Sequence, residues 1–156
     1  MNPARTAADA GPKSPAVPAL NALLQCELAA VEAYEFALSR FEDHPFHADL
    51  RVIRYHHETA VAVLRDHVRN LGGEPGAGFR PWGLNAGGAT GRIDSATILA
   101  VLRQGEENGV NEFEQALLGD ELTQECRFAI RAELLPRCHD HIDVLAGMAS
   151  AAAGKG

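Results

Sequence analysis

The stretch ELAAVEAYEFAL, residues 27–38, decides the fold. It belongs to a longer stripe, Leu20, Leu24, Glu27, Val31, Tyr34, Leu38 and Phe41, whose steps of three and four trace one face of an α-helix. One member of this apolar stripe is a carboxylate, and burying Glu27 is costly unless a cation or a hydrogen-bond donor meets it. The same arrangement returns as Glu106, Val110, Phe113 and Leu117. Residues 27–38 laid over EENGVNEFEQAL, residues 106–117, share five identities in twelve, with Tyr34 opposite Phe113. Helical amphipathicity alone can give such a match, but it does not call for a glutamate on the buried stripe. We read the two halves as a pseudo-twofold repeat.

Around these two segments a 3.6-residue period dominates and strand-like alternation is nearly absent, so the chain reads as four long helices. The first runs from about Ala19, after Pro18, to Phe41. A turn at Asp43, His44 and Pro45 opens the second, which runs to about Leu71, where Gly72 and Gly73 supply a stop. Residues 72–93 hold eight glycines with Pro75 and Pro81, which fits a long crossover and not a helix. Asp94 or Ser95 caps the third helix, which reaches about Leu118. After Gly119 and Asp120 the fourth runs from about Glu121 to Met148, with Pro136 expected to kink or divide it. The expected fold class is all-α: two antiparallel hairpins joined by a long crossover, over residues 19–148. Four prolines in the first eighteen residues mark a flexible N-terminal arm, and residues 149–156, rich in Ala and Gly, mark a flexible tail.

Composition narrows the function. A chain of 156 residues with 46% hydrophobic residues supports one well-buried domain, and a net charge of -7 argues against nucleic acid as a partner. No apolar run approaches the roughly 18–20 residues of a membrane span, and the N-terminus shows no basic segment followed by an apolar one. A cytoplasmic protein is expected. The three cysteines, Cys26, Cys126 and Cys138, argue against a disulfide framework.

The other two helices must face the glutamates. On helix two the stripe reads Ile53, His57, Ala60, Leu64, His67 and Leu71; on helix four it reads Ile130, Leu134, Cys138, His141, Leu145 and Met148. Each helix thus carries a central polar residue. Two carboxylates and two imidazoles, with a thiol one turn from His141, suit a borderline divalent ion. Glu27, His57, Glu106 and His141 are the expected ligands. Cys138 is a further candidate, although a buried free cysteine is more often a small core residue. A shifted register would bring in Glu58 or His139 instead. His44, His47, His56 and His67 read as surface or edge residues, Cys26 and Cys126 as fillers, and Phe79 and Trp82 as pins that hold the crossover to the bundle.

The strings Glu27 to Tyr34, Leu71-Gly72-Gly73-Glu74-Pro75, Gly105-Glu106-Glu107 and His139 to Leu145, taken in order, resemble the ferritin-like superfamily of bacterioferritin and rubrerythrin, and most nearly an uncharacterised bacterial branch of it. The resemblance covers roughly residues 19–148. It implies a ferritin-like four-helix bundle in which Glu27 and Glu106 match the single glutamates of a di-iron site, His141 matches the fourth-helix histidine, and Tyr34 matches a tyrosine beside the metals. Two departures stand out. Where such a site has Glu-x-x-His, this chain has His57-x-x-Ala60 and Cys138-x-x-His141, so both metal-bridging glutamates are missing. One ion, or an unusual pair, is expected: Fe or Zn first, then Mn or Cu. The resemblance implies an iron-handling protein or oxidoreductase that forms a homodimer. The alternative is a metal-free scaffold, with a Glu-His layer fixing helix register and the bundle serving dimerisation or partner docking.

Overall fold

Ser14 opens the first helix: its hydroxyl accepts from the Ala16 N–H at 3.2 Å and its carbonyl accepts from Val17 at 3.1 Å. In the computed structural model, which describes residues 14–84 and 93–154, α1 spans Ala16–Arg40. It therefore starts ahead of the expected Ala19. Pro15 and Pro18 flank or occupy the first turn, where the missing N–H groups have no intrahelical partner to lose. Ala16 and Val17 are buried, so part of the expected arm belongs to the core; residues 1–13 lie outside the described residues.

The turn after α1 leads to α2 (His47–Asn70), antiparallel to it. Gly72, at φ 78°, takes the left-handed conformation that ends the helix, and Gly73 donates back to the Val68 carbonyl at 2.9 Å. A Cβ on Gly73 would stand 2.6 Å from Val17 Cγ1, so the close approach of α1's first turn to the end of α2 depends on this glycine. Asn21 then fixes the start of the crossover, donating to the Glu74 carbonyl and accepting from the Gly76 N–H. Trp82 lies flat against Gly105, where an added Cβ would be 2.3 Å from the indole. The expected pinning role holds for Trp82, whereas Phe79 is 39% exposed.

Asp94 caps α3 (Ser95–Leu118), accepting from the Thr97 N–H at 2.7 Å. The following turn is held by Arg127, which donates to the Leu117 carbonyl at 2.7 Å, to that of Leu122 at 3.3 Å, and to that of Gly119. Thr123 caps α4 (Gln124–Ala129), three residues later than expected from Glu121. A π-helical turn, Ile130–Leu134, joins it to α5 (Leu135–Ala153). Pro136 does divide the fourth helix, by way of this wide turn. α5 continues to Ala153, past the expected Met148, because its last residues are mostly alanine, the best helix former.

The π turn has a further effect. Leu122, Cys126, Ile130, Leu134 and Cys138 are all buried at successive steps of four. On a 3.6-residue helix each such step drifts by about 40°. A turn that takes in more residues absorbs the drift and keeps Cys138 and His141 facing inward.

The core has two apolar halves. One gathers Leu20, Leu24, Leu64, Phe113, Ile130 and Leu134; the other gathers Leu38, Phe41, Leu50, Leu102, Leu145 and Met148. Between them, one ionisable residue on each long helix forms a polar layer. No helix among the described residues is long and apolar enough to cross a membrane.

Candidate metal centre

α1 supplies Glu27 to that layer, α2 His57, α3 Glu106 and α5 His141, exposed by only 4%, 3%, 1% and 3%. His57 is the hub. Its Nδ1 lies 2.6 Å from Glu27 Oε2 and its Nε2 lies 2.8 Å from Glu106 Oε1. Two carboxylates on the two ring nitrogens require both nitrogens to donate, which is the imidazolium form. Burial opposes that charge, but Glu106 and Glu27 outweigh it and raise the His57 pKa to about 10. For Glu106 burial again disfavours charge, and His57 and His141 prevail, holding its carboxyl at about 2.

Glu106 takes two further contacts. The Tyr34 hydroxyl donates to Oε1 at 2.6 Å, and His141 Nδ1 lies 3.3 Å from the carboxylate. Burial and then Glu106 push the Tyr34 pKa well above its ordinary value, so this phenol stays a donor. Its ring also stacks on His57, with centroids 5.3 Å apart.

On the far side of His141, its Nε2 lies 3.0 Å from His56 Nδ1, and the two rings stack at 5.2 Å. Burial, followed by His141, Arg137 and His57, lowers the His56 pKa. Facing Glu106 alone, His141 Nδ1–H donates to the carboxylate; the tautomer protonated on Nε2, which a neutral His56 Nδ1 can accept from, instead frees the Nδ1 lone pair for an ion in place of that hydrogen bond. His56, expected at the surface or an edge, is half-buried and reaches His141. Steps of three and four from Ile53 to Ala60 pass equally well through residue 56 or 57, so spacing alone admits both.

One donor atom from each of His57, Glu106 and His141 lies within 4.8 Å of the others, the one group of this kind among the described residues. Two donors bound to one ion at about 2.1 Å stand roughly 3–3.4 Å apart, close to the 2.8 and 3.3 Å that separate Glu106 from the two imidazoles. The chemistry of the donor set and these two separations suit a single divalent ion. The set does not fit a pair, since no carboxylate occupies either bridging position. Glu27 stands outside this group, beyond His57, as the carboxylate that orients an imidazole.

The remaining candidates separate clearly. Glu58 is exposed and paired with Arg54 at 3.0 Å, and His139 is exposed. Cys138 is buried beside the layer, where burial, Glu27 and Glu106 push its pKa far up and keep it a thiol. A cavity of about 490 Å³ between α1 and α3 reaches Glu27, His57, Glu106 and Cys138, with Trp82 on its wall.

No protein-family model matches the chain, and no curated protein matches it. Among solved structures, one described as ferritin like, diiron-carboxylate proteins from Bacillus anthracis str. Ames is similar, at 15% identity over 86% of this chain and 89% of that one, with a TM-score of 0.55. Together with the two hairpins and the crossover, that likeness identifies the fold as the ferritin-like four-helix bundle.

Proposed function

We propose that this protein binds one divalent cation, iron first among the candidates, through His57, Glu106 and His141. The observation that carries the reading is the convergence of two imidazoles and one carboxylate, all buried, from three different helices. Two histidines with one carboxylate are the donor set of mononuclear non-haem iron. The description of the similar Bacillus anthracis structure as diiron-carboxylate agrees with iron, though not with two of them. A bound iron supplies one-electron chemistry, which places an oxidoreductase or iron-handling role within reach. Glu27 keeps the Nδ1 proton on His57 and aims Nε2 at the site. His56 does the same for His141, and Tyr34 holds the Glu106 carboxylate.

A second reading rests on the short bonds of His57 to both glutamates. The imidazolium already meets both buried carboxylates and offsets one of their two charges, so the layer can stand without metal as a device that fixes helix register. A bundle of this kind, with Leu118 78% and Phe128 74% exposed, could serve dimerisation.

Elemental analysis of untagged protein purified without chelators separates the two. The metal reading expects close to one ion per chain, lost in Glu106→Gln and in His141→Ala. Glu27→Gln should keep the ion and weaken its binding by about 10–100-fold, as for other carboxylates behind a ligating histidine. A content that none of these substitutions changes would overturn the site.

A further inference from the structure

The two halves of the repeat differ at a hydroxyl beside the polar layer. Tyr34 and Phe113 hold matching places, seven residues after Glu27 and Glu106. The fold sets each half against the other: the Tyr34 phenol, from α1, donates to Glu106 of α3 at 2.6 Å, and its ring stacks on His57. Phe113, on α3, has no hydroxyl to give in return. Glu106 therefore receives His57, His141 and a phenol, whereas Glu27 receives His57. What Glu27 has instead is a place on the lining of the cavity of about 490 Å³ between α1 and α3.

That cavity suits a ring. Ala22, Ala29 and Ala30 on α1 face Gly105 and Gly109 on α3, so no long side chain of these five positions fills it, and Trp82 adds an aromatic wall. An apolar cavity of about 150 Å³ already takes up benzene, so this one has room for a substituted ring. Its outer part carries the neutral amides of Gln25 and Asn111, both exposed. Its inner part is anionic, because the His57 imidazolium offsets only one of the charges of Glu27 and Glu106. A ligand leading with a carboxylate or phosphate is repelled there, and one leading with a neutral hydroxyl donor is accepted.

We propose that the cavity binds a small neutral phenol, whose hydroxyl donates to Glu27 as Tyr34 donates to Glu106. The ring lies beside Trp82, and a second polar substituent reaches the outer amides. Binding of the phenol does not depend on the metal reading given above. Its role as the substrate of a bound ion does.

The probe is para-fluorophenol, added to the full chain with and without cobalt(II) and followed by fluorine NMR and by the fluorescence of Trp82, the chain's single tryptophan. Both signals should saturate together. Fluorobenzene is more apolar but has no donor, and it should bind about tenfold more weakly or worse, the factor a hydrogen bond to a buried carboxylate supplies. Gly109 lines the cavity and a Cβ added there meets nothing within 4 Å, so Gly109→Leu fills space without a clash and should weaken para-fluorophenol by about tenfold or more. Gly147 on α5 is equally open but lies away from the cavity, so Gly147→Leu should bind as the parent does. Three results each overturn the proposal: no saturation in the parent, equal binding by Gly109→Leu, which places the phenol elsewhere, and equal binding of fluorobenzene, which leaves the hydroxyl unheld. The cobalt content of the same samples reads the metal separately. Phenol bound by a chain that takes up no cobalt upholds the ligand site and removes the metal reading; cobalt taken up by a chain that binds no phenol does the reverse.

Discussion

At the residue scale the centre is governed by one proton on His57. The folded chain raises this imidazole to about 10, so its stabilising contribution is complete below its unfolded value of about 6.5 and is lost as pH rises towards 10. Glu106, held at about 2, contributes fully above about 4.5 and loses that contribution as pH falls. Denaturant midpoints of the metal-free protein should therefore be highest between about pH 4.5 and 6.5. His57→Ala removes the cation between two buried carboxylates and should cost about 3–5 kcal/mol at pH 6, with a flatter alkaline limb. Metal uptake at the proposed ligands would compete for the same proton. Calorimetry at pH 7 in buffers of different ionisation enthalpy should show close to one proton released per ion; release of none would mean that His57 is not a ligand. Tyr34→Phe tests the neighbouring contact. It keeps the ring on His57 but takes a donor from a buried charge, so urea unfolding should show a loss of about 1.5–3 kcal/mol.

At the scale of elements, the helices were legible because their stripes are regular, and the polar members of those stripes were legible because they break the apolar pattern. Glu27, His57, Glu106 and His141 share a layer for that reason. Boundaries were less so. The start at Ala16 depends on the Ser14 cap, and the start at Gln124 on Thr123 and on the three carbonyls gathered by Arg127, none of which a periodic pattern encodes. The π turn was visible only as Pro136. Its effect on direction follows from the backbone widening, which the run of four-residue steps hints at but does not require. The crossover carries a direct test, because Trp82 is the chain's single tryptophan. Gly105→Ala sets a methyl against the indole and should lift Trp82 off α3. Its fluorescence should shift to the red, and stability should fall by about 1–3 kcal/mol, as for other overpacked contacts.

At the scale of the whole molecule, the sequence showed which residues meet but not which of them bring donor atoms close enough for one ion. Glu27 and Glu106 look equivalent in the repeat, yet the fold sets Glu106 between two imidazoles and Glu27 behind one of them. That difference depends on side-chain reach across the bundle, which one chain's spacing does not contain. It has a consequence for the stability of the assembled bundle. The proposed ligands come from α2, α3 and α5, so a bound ion ties the first hairpin to the second at mid-height, between the two apolar halves of the core. An ion held only by the folded chain, at a free concentration a hundred times its Kd, adds about 2.7 kcal/mol. For a chain of this size each kcal/mol moves Tm by roughly 2–4 °C, so cobalt or ferrous iron under anaerobic conditions should raise Tm by about 5–10 °C. The rise should vanish with a chelator and be absent in His141→Ala and Glu106→Gln, while Glu27→Gln should recover it at higher metal concentration. An equal rise in all four proteins would place the bound metal on the surface and leave the polar layer as an internal ion-pair network.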